Sequence, residues 1–370
     1  MTAQVEFTEH ELLESHPYEA PLVAGGVTCH GGFDADGAYV SPRTLTRTPA
    51  IEAWQAQHQE QFATPLFHLP LDTWPARYPN VAQSKHLIAS GVPEPIIADL
   101  TRIGTVEGFG GMIRQSVVPD LQQRFDEDVK GTAMAHLDRG LYEAHARDEA
   151  GHADEGGHKQ MWFVARDLAF EHPLTQDETA FMLERMGITP PGGRGKADLA
   201  AMRAQAEARR LWPDDVDFDL EVLVERMVRL LLIEISAFHT FAWAEEILDE
   251  QNLVAGDGEA ARIVSYIRQD ETPHVDYLRT VLSEMRDRTV VGADGKRHAG
   301  ADLIGRTWDR AVAQSVGPGR IETLEIVRRE IEHAMAGRPD RDDLLARFDG
   351  LGDVVPTEDG RWVDAEGREA

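Results

Sequence analysis

The 370-residue sequence has a single cysteine, few basic residues and no long apolar run. With Cys29 alone, the chain has no intrachain disulfide and no thiolate cage for a metal. It has 37 Lys and Arg and 65 Asp and Glu, which give a net charge of −28. We therefore expect it to bind neither nucleic acid nor anionic membranes. No stretch approaches the ~20 apolar residues of a membrane-spanning helix, and no secretory leader is recognisable. We therefore expect a cytoplasmic protein.

Helical periodicity dominates the sequence after its first quarter and predicts an all-α protein. Residues 1–93 are rich in turn-forming residues and predict an irregular lead-in that packs on the core. Residues 94–287 predict a four-helix bundle with a spacer at 171–217. Residues 288–370 predict extra helices and two short β-hairpins centred on Asp-Gly turns. The four predicted bundle helices are 94–118, 132–170, 219–250 and 259–287.

The pattern Asp-Glu-x-x-His occurs three times, at 148–152, 154–158 and 270–274. Only roughly 0.1 copy is expected by chance in a chain of this composition. Positions i and i+3 share one face of a helix, so a Glu and a His at this spacing can bind one metal ion together. The predicted ligand pairs are Glu149 with His152 and Glu271 with His274.

Two single carboxylates complete the set of predicted ligands. Helix bundles that bind two iron or manganese ions use two such Glu-His pairs and one inward Glu from each of two further helices. Glu234 is the only charged residue in LLLIEISAF, where a carboxylate is costly unless it is paired, protonated or metal-bound. Glu107 lies in the middle of TRIGTVEGFGG. We predict both as ligands and leave open a protonated or Arg-paired role for Glu234.

Two copies of the pattern, the tandem boxes 148–152 and 154–158, are adjacent in the sequence, and a helical wheel distinguishes between them. At ~100° per residue, His152 falls on the side that the apolar residues mark as buried, and His158 falls near the polar side. We therefore favour His152 as the ligand. A break at Gly156 and Gly157 would reset the wheel, so Glu155 with His158 stays as the alternative.

Pro273 lies between the two residues of the last predicted ligand pair. A proline at that point can start a new helix and move His274 away from Glu271. Our working assumption is a local kink that leaves both side chains facing inward.

The pattern formed by Glu107, Asp148-Glu149-x-x-His152, Glu234 and Asp270-Glu271-x-x-His274 resembles the ferritin-like diiron-carboxylate superfamily. That superfamily includes monooxygenase hydroxylases, acyl-carrier desaturases, arylamine N-oxygenases and the ribonucleotide reductase small subunit. The resemblance implies a ferritin-like four-helix bundle in which the four Glu and two His bind two Fe ions, or Mn with Fe, or two Mn. It also implies that Asp148 and Asp270 hydrogen-bond the ligand imidazoles. His145, one turn before Glu149, is interpreted as a neighbour of the ligands.

A hard, anionic site of this kind predicts an O2-dependent diiron oxygenase or oxidase. We expect a small organic substrate, O2 and an electron donor as partners, and leave a homodimer open. Gly156, one turn beyond His152, and Gly111, near Glu107, predict a pocket beside the metals. The alternatives are a non-catalytic iron- or manganese-binding or storage protein and a purely structural helical protein.

Overall fold

A computed structural model of the chain describes residues 4–170, 199–356 and 362–363, and this part is mostly helical. The all-α prediction is confirmed at that level. The helices are α1 (Glu9–Leu12), α2 (Arg47–Phe62), α3 (Val81–Ala89), α4 (Glu94–Gly110), α5 (Tyr142–Ala150), α6 (His158–Phe170), α7 (Leu199–Glu207), α8 (Phe218–Leu248), α9 (Glu259–Arg286), α10 (Gly300–Val316), α11 (Pro318–Ala334) and α12 (Arg341–Gly350). Short 3-10 turns span Leu71–Thr73, Gly111–Gln115, Leu121–Gln123 and Ala133–His136, and a π turn spans Leu137–Leu141.

The strands are short and lie at the two ends of the chain. An antiparallel sheet joins β1 (Ala20–Ala24), β2 (Val27–Phe33) and β3 (Tyr39–Val40) in that order. Two hairpins follow the bundle helices, and they join β4 (Thr289–Val291) with β5 (Arg297–Ala299) and β6 (Val355–Pro356) with β7 (Trp362–Val363). Both predicted hairpins are therefore present, whereas the expectation of an irregular N-terminal segment is wrong for β1 to β3.

The longest helices, α8 and α9, pack against each other along their length, and α6 packs against both α4 and α9. Their apolar side chains form two clusters. On α8 one cluster ends at Ile235 and the other begins at Ala237; on α9 the break falls between Ile267 and Tyr277. The predicted ligands on both helices lie at this boundary, so a polar layer separates two apolar ones.

The second predicted helix, 132–170, is interrupted. It begins as 3-10 and π turns, continues as α5, stops at Ala150 and resumes as α6 at His158. Gly151 ends α5 with a φ of +83°, a conformation that glycine adopts at little cost. The break therefore starts at Gly151, earlier than Gly156 and Gly157, where the sequence indicated a possible break.

Pro273 does not break its helix. It lies inside α9, which runs without interruption from Glu259 to Arg286. Residues 171–198 of the predicted spacer lie outside the described residues. Helix α7 occupies 199–207 of the remaining part, 199–217. Within the described chain, no helix combines the length and apolarity that crossing a membrane requires.

Candidate metal centre

Buried carboxylates and imidazoles from five helices converge at the boundary between the two apolar clusters. Two overlapping sets have ligand atoms that all lie within 4.8 Å of one another, a spacing at which each set could hold a metal ion. The first set is Glu107, Glu149, His158 and Glu271, and the second is His145, Glu149, Glu234 and His274.

The first set is centred on Nδ1 of His158. This atom lies 2.8 Å from Oε1 of Glu271, 3.4 Å from Oε1 of Glu149 and 3.6 Å from Oε2 of Glu107. Glu107 comes from α4, Glu149 from α5, His158 from α6 and Glu271 from α9. The Glu107 side chain is 13% exposed, whereas the other three are 3% exposed or less, so Glu107 marks the open edge of the centre.

The second set brings α8 into the centre. Nε2 of His145 lies 3.6 Å from Oε1 of Glu234 and 3.7 Å from Oε1 of Glu149. Nδ1 of His274 lies 3.4 Å from the same Glu149 oxygen. His145 therefore directs Nε2 to two carboxylates of the centre and is more than a neighbour of the set. The Tyr277 hydroxyl lies 3.2 Å from its other ring nitrogen, Nδ1.

Two carboxylates connect the sets. Glu149 belongs to both. Glu271 directs Oε1 to Nδ1 of His158 at 2.8 Å and Oε2 to Nδ1 of His274 at 2.6 Å. Glu271 and His274 thus both face inward, as assumed despite Pro273. The arrangement has the form of two neighbouring cation sites with shared carboxylates.

Several ligand atoms at this centre lack a hydrogen-bond partner within the described residues. Buried polar atoms in proteins are nearly always paired, so a cluster of unpaired carboxylate and imidazole atoms fits a site that binds a cation. The unpaired atoms are Nε2 of His145, both Oε of Glu149, Oε1 of Glu271 and both ring nitrogens of His158.

The prediction of His152 as a ligand is wrong. His152 is exposed, because α5 ends before it and the following turn pairs its backbone with that of Glu155. His158, the alternative, is fully buried and stands in the first set. Glu155, the carboxylate of that alternative pair, is in neither set, and Glu149 stands with His158 instead. The Glu and His that the structure brings together here are nine residues apart.

The pocket predicted from glycines is also absent at Gly156 and Gly111. Gly156 donates its backbone N–H to Thr28 and accepts from His30, so it is joined to β2. A Cβ on Gly111 would lie 2.7 Å from that of Ala150. These glycines permit close packing around the centre and do not open space beside it.

Asp148 and Asp270 lie outside the two sets, each beside an imidazole of another helix. The predicted hydrogen bond to an imidazole is present for Asp148, whereas Asp270 only approaches one. Asp148 accepts a hydrogen bond from Nε2 of His274 at 3.0 Å, and Oδ2 of Asp270 lies 3.4 Å from Nε2 of His158. Both imidazoles therefore turn Nδ1 toward the carboxylates, which is the role of an outer carboxylate at a metal-binding histidine.

The N-terminal segment holds these aspartates in turn. Arg43 and Arg47 both donate to Asp148, the latter at 2.9 Å. Asp270 binds Nε2 of His30 at 2.8 Å and accepts from the Tyr39 hydroxyl at 2.9 Å. Sequence reasoning missed all four residues, because they lie 101 to 240 positions from the aspartate that each contacts. In the third close set, His30, His158 and Asp270, His30 and Asp270 already bind each other.

The pKa of Glu271 shifts in the opposite direction from those of Glu107 and Glu234. Burial and neighbouring carboxylates raise the pKa values of Glu107 and Glu234 well above the usual range of a glutamate. Burial also disfavours the charged form of Glu271, yet the imidazoles of His274 and His158 bring its pKa well below that range. Burial and the nearby His274 lower the pKa of His145 to about 3, so its imidazole is neutral at neutral pH.

No protein-family model, curated protein or solved structure matches the chain. Hard carboxylate oxygens with imidazole nitrogens suit divalent iron or manganese. The four glutamates carry four negative charges when ionised, which two divalent cations would balance.

Proposed function

We propose that the protein is an O2-dependent dimetal oxygenase or oxidase of the ferritin-like type, acting on a small organic substrate. One observation carries the proposal: the buried ligand atoms form two sets that share Glu149, and Glu271 directs one carboxylate oxygen to a histidine of each set. In ferritin-like proteins, pairs of metal ions are bound by two Glu-His helices and by one Glu from each of two others.

The proposed ligands divide between two ions. Glu107 and His158 would bind one ion, and Glu234, His274 and His145 would bind the other. Glu149 and Glu271 would bind both. Two Fe ions, or Mn in one or both positions, would supply the electrons that reduce O2.

The protein's own residues favour catalysis over storage because they fix the ligands in place. Asp148 holds His274 while bound to two arginines, and Asp270, bound to His30 and Tyr39, stands 3.4 Å from Nε2 of His158. A centre fixed from outside keeps one geometry through repeated turnovers. Apolar clusters on both sides exclude water, and the partly exposed Glu107 marks the side from which small molecules would approach.

Anaerobic loading with Fe(II) tests the proposal. The apo protein is loaded, its bound iron is counted, and O2 is added while the near-UV spectrum is recorded. We expect about two ions per chain, as in other bundles with this ligand set, and a transient absorption change after O2 is added. Fewer than one ion per chain would overturn the dimetal centre. Two ions without a transient change, followed by continued iron uptake, would overturn catalysis in favour of storage.

A pair of variants serves as the matched control. Glu149→Ala removes a shared ligand, whereas Glu155→Ala removes the corresponding residue of the second tandem box. We expect Glu149→Ala to lose most of the bound iron and Glu155→Ala to keep it. Equal iron content in the two variants would contradict the assigned ligands.

A further inference from the structure

A second site lies on the side of α8 that faces away from the metal centre. It is a cleft of about 630 Å³ bounded by α8, α10, the first turns of α11 and the segment 74–77. Ile233 and Ser236 of α8 line it, whereas Glu234 between them is only 4% exposed and faces the metal centre. The backbone of α8 therefore separates the cleft from the proposed metal ligands.

The charge of the cleft is opposite to that of the chain. Four arginines and one glutamate line the cleft, in a chain with a net charge of −28. A local positive field attracts anions to the cleft, whereas the net negative charge of the chain repels them elsewhere on the surface. The charged lining residues are Arg77, Arg229, Arg310, Arg320 and Glu225.

Nearby carboxylates neutralise only part of this positive charge. Arg77 pairs with Asp99, but Arg229 approaches Glu225 only to 3.8 Å. In the described part of the chain, Arg310 and Arg320 form no salt bridge. Arg320 donates instead to the carbonyl of Ala76.

Arg320 lies near a second positive charge, because it donates to the carbonyl of Ala76, the residue before Arg77. Burial and Arg77 lower the pKa of Arg320, which indicates an unfavourable environment for its charge. An anion bound by Arg320 would offset that repulsion. Guanidinium groups are planar donors that match carboxylate and phosphate oxygens two at a time.

The cleft also has an apolar wall. Trp74, Leu211, Leu232 and Ile233 line it, and Ile233 is 50% exposed. The volume is within the range of roughly 300–1,000 Å³ that is typical of small-molecule sites, and it is much larger than an inorganic ion needs. A ligand that uses the whole cleft would combine an acidic group with an apolar body.

We infer that this cleft binds an amphipathic organic anion. Its carboxylate, phosphate or sulfonate group pairs with Arg310 and Arg320, and its apolar body lies against Trp74 and Ile233. This inference does not rest on the proposed metal chemistry, because the cleft shares no residue with the metal centre.

A fluorescence titration of the full chain with 1-anilinonaphthalene-8-sulfonate tests the inference, and the neutral N-phenyl-1-naphthylamine serves as the uncharged probe. The double variant Arg310→Gln/Arg320→Gln removes the two unpaired charges. Arg306→Gln, at an exposed position on α10 that does not line the cleft, removes one positive charge outside the cleft. We expect the double variant to bind the sulfonate at least about tenfold more weakly, about 1.4 kcal/mol. We also expect Arg306→Gln to bind it like the unchanged protein.

The neutral probe distinguishes charge recognition from general apolar binding. Its affinity should be the same in all three proteins, and thermal unfolding should show that all three are folded. Unchanged sulfonate affinity in the double variant would overturn the inference. An equal loss in Arg306→Gln, or an equal loss for the neutral probe, would also overturn it.

Discussion

Asp148 and His274 belong to different Asp-Glu-x-x-His boxes, yet Asp148 accepts the hydrogen bond of Nε2 of His274 at 3.0 Å. Asp270 stands in the reciprocal position, 3.4 Å from Nε2 of His158. The boxes at 148–152 and 270–274 each supply a Glu to the centre, and the Asp before that Glu lies beside an imidazole of another helix. These contacts couple α5 and α6 to α9 through the centre and give Asp148 and Asp270 a physical role.

Asp148→Asn should weaken the metal centre and the fold together. The substitution leaves the positive charges of Arg43 and Arg47 buried without their carboxylate, which costs about 3–5 kcal/mol in comparable buried pairs. Metal affinity should fall by roughly 10–100-fold, because His274 loses its orienting partner. Urea unfolding and Fe(II) titration measure the two effects. Asp126→Asn, which disrupts an exposed pair with Arg297, should change neither quantity.

His158→Ala and His152→Ala should separate the two tandem boxes. His158 is buried among the ligands, so its loss should lower bound iron from about two ions per chain to one or fewer. His152 is exposed, so its replacement should leave iron content unchanged and unfolding free energy within about 0.5 kcal/mol. Metal analysis of both purified variants is the measurement. A loss of iron in His152→Ala would contradict the observed break of the helix.

Gly110→Ala should disturb the centre without removing any ligand. A Cβ at this position would lie 2.5 Å from Cγ of Glu149, so the shared carboxylate would have to move. Gly108→Ala is the matched control, because its Cβ would meet only the flexible chain of Lys159. Both changes favour the helix by about 1 kcal/mol, so Gly108→Ala should be neutral or stabilising. Fe(II) titration should show weaker binding for Gly110→Ala alone.

Glu284 should make stability depend on pH at a distance from the metal centre. Burial raises its pKa from 4.5 to about 7 in the folded protein, where it accepts the backbone N–H groups of Ala133 and Met134. The folded state then holds the proton more tightly than the unfolded state does. The contribution of Glu284 to stability is complete below pH 4.5 and is lost as pH rises through 7.

Glu284→Gln should remove this pH dependence. Between pH 5 and pH 7.5, the unchanged protein should lose about 2–3 kcal/mol of unfolding free energy relative to the variant, at about 1.4 kcal/mol per pH unit of proton linkage. Urea unfolding of both proteins at the two pH values gives the difference. A constant difference would show that Glu284 titrates near its ordinary value.

The error at His152 has an identifiable cause. The wheel assumed one continuous helix, but Gly151 ends α5 and the next helix starts at His158. A Cβ on Gly157 would lie 2.3 Å from the backbone nitrogen of Gly151, so the turn depends on closely packed glycines. A glycine directly after a helical stretch is a termination signal, and Gly151 carried that information in the sequence.

The sequence by itself determined the helical class, the two β-hairpins, and the Glu107, Glu149, Glu234, Glu271 and His274 that meet at the centre. Those features follow from local periodicity, turn residues and the cost of an unpaired buried charge. The tertiary structure decided that His158, the alternative to His152, joins the carboxylates and that His145 stands among them. It also decided that Arg43, Arg47, His30 and Tyr39 hold the aspartates. These residues meet through packing between distant segments, which spacing along one helix does not encode.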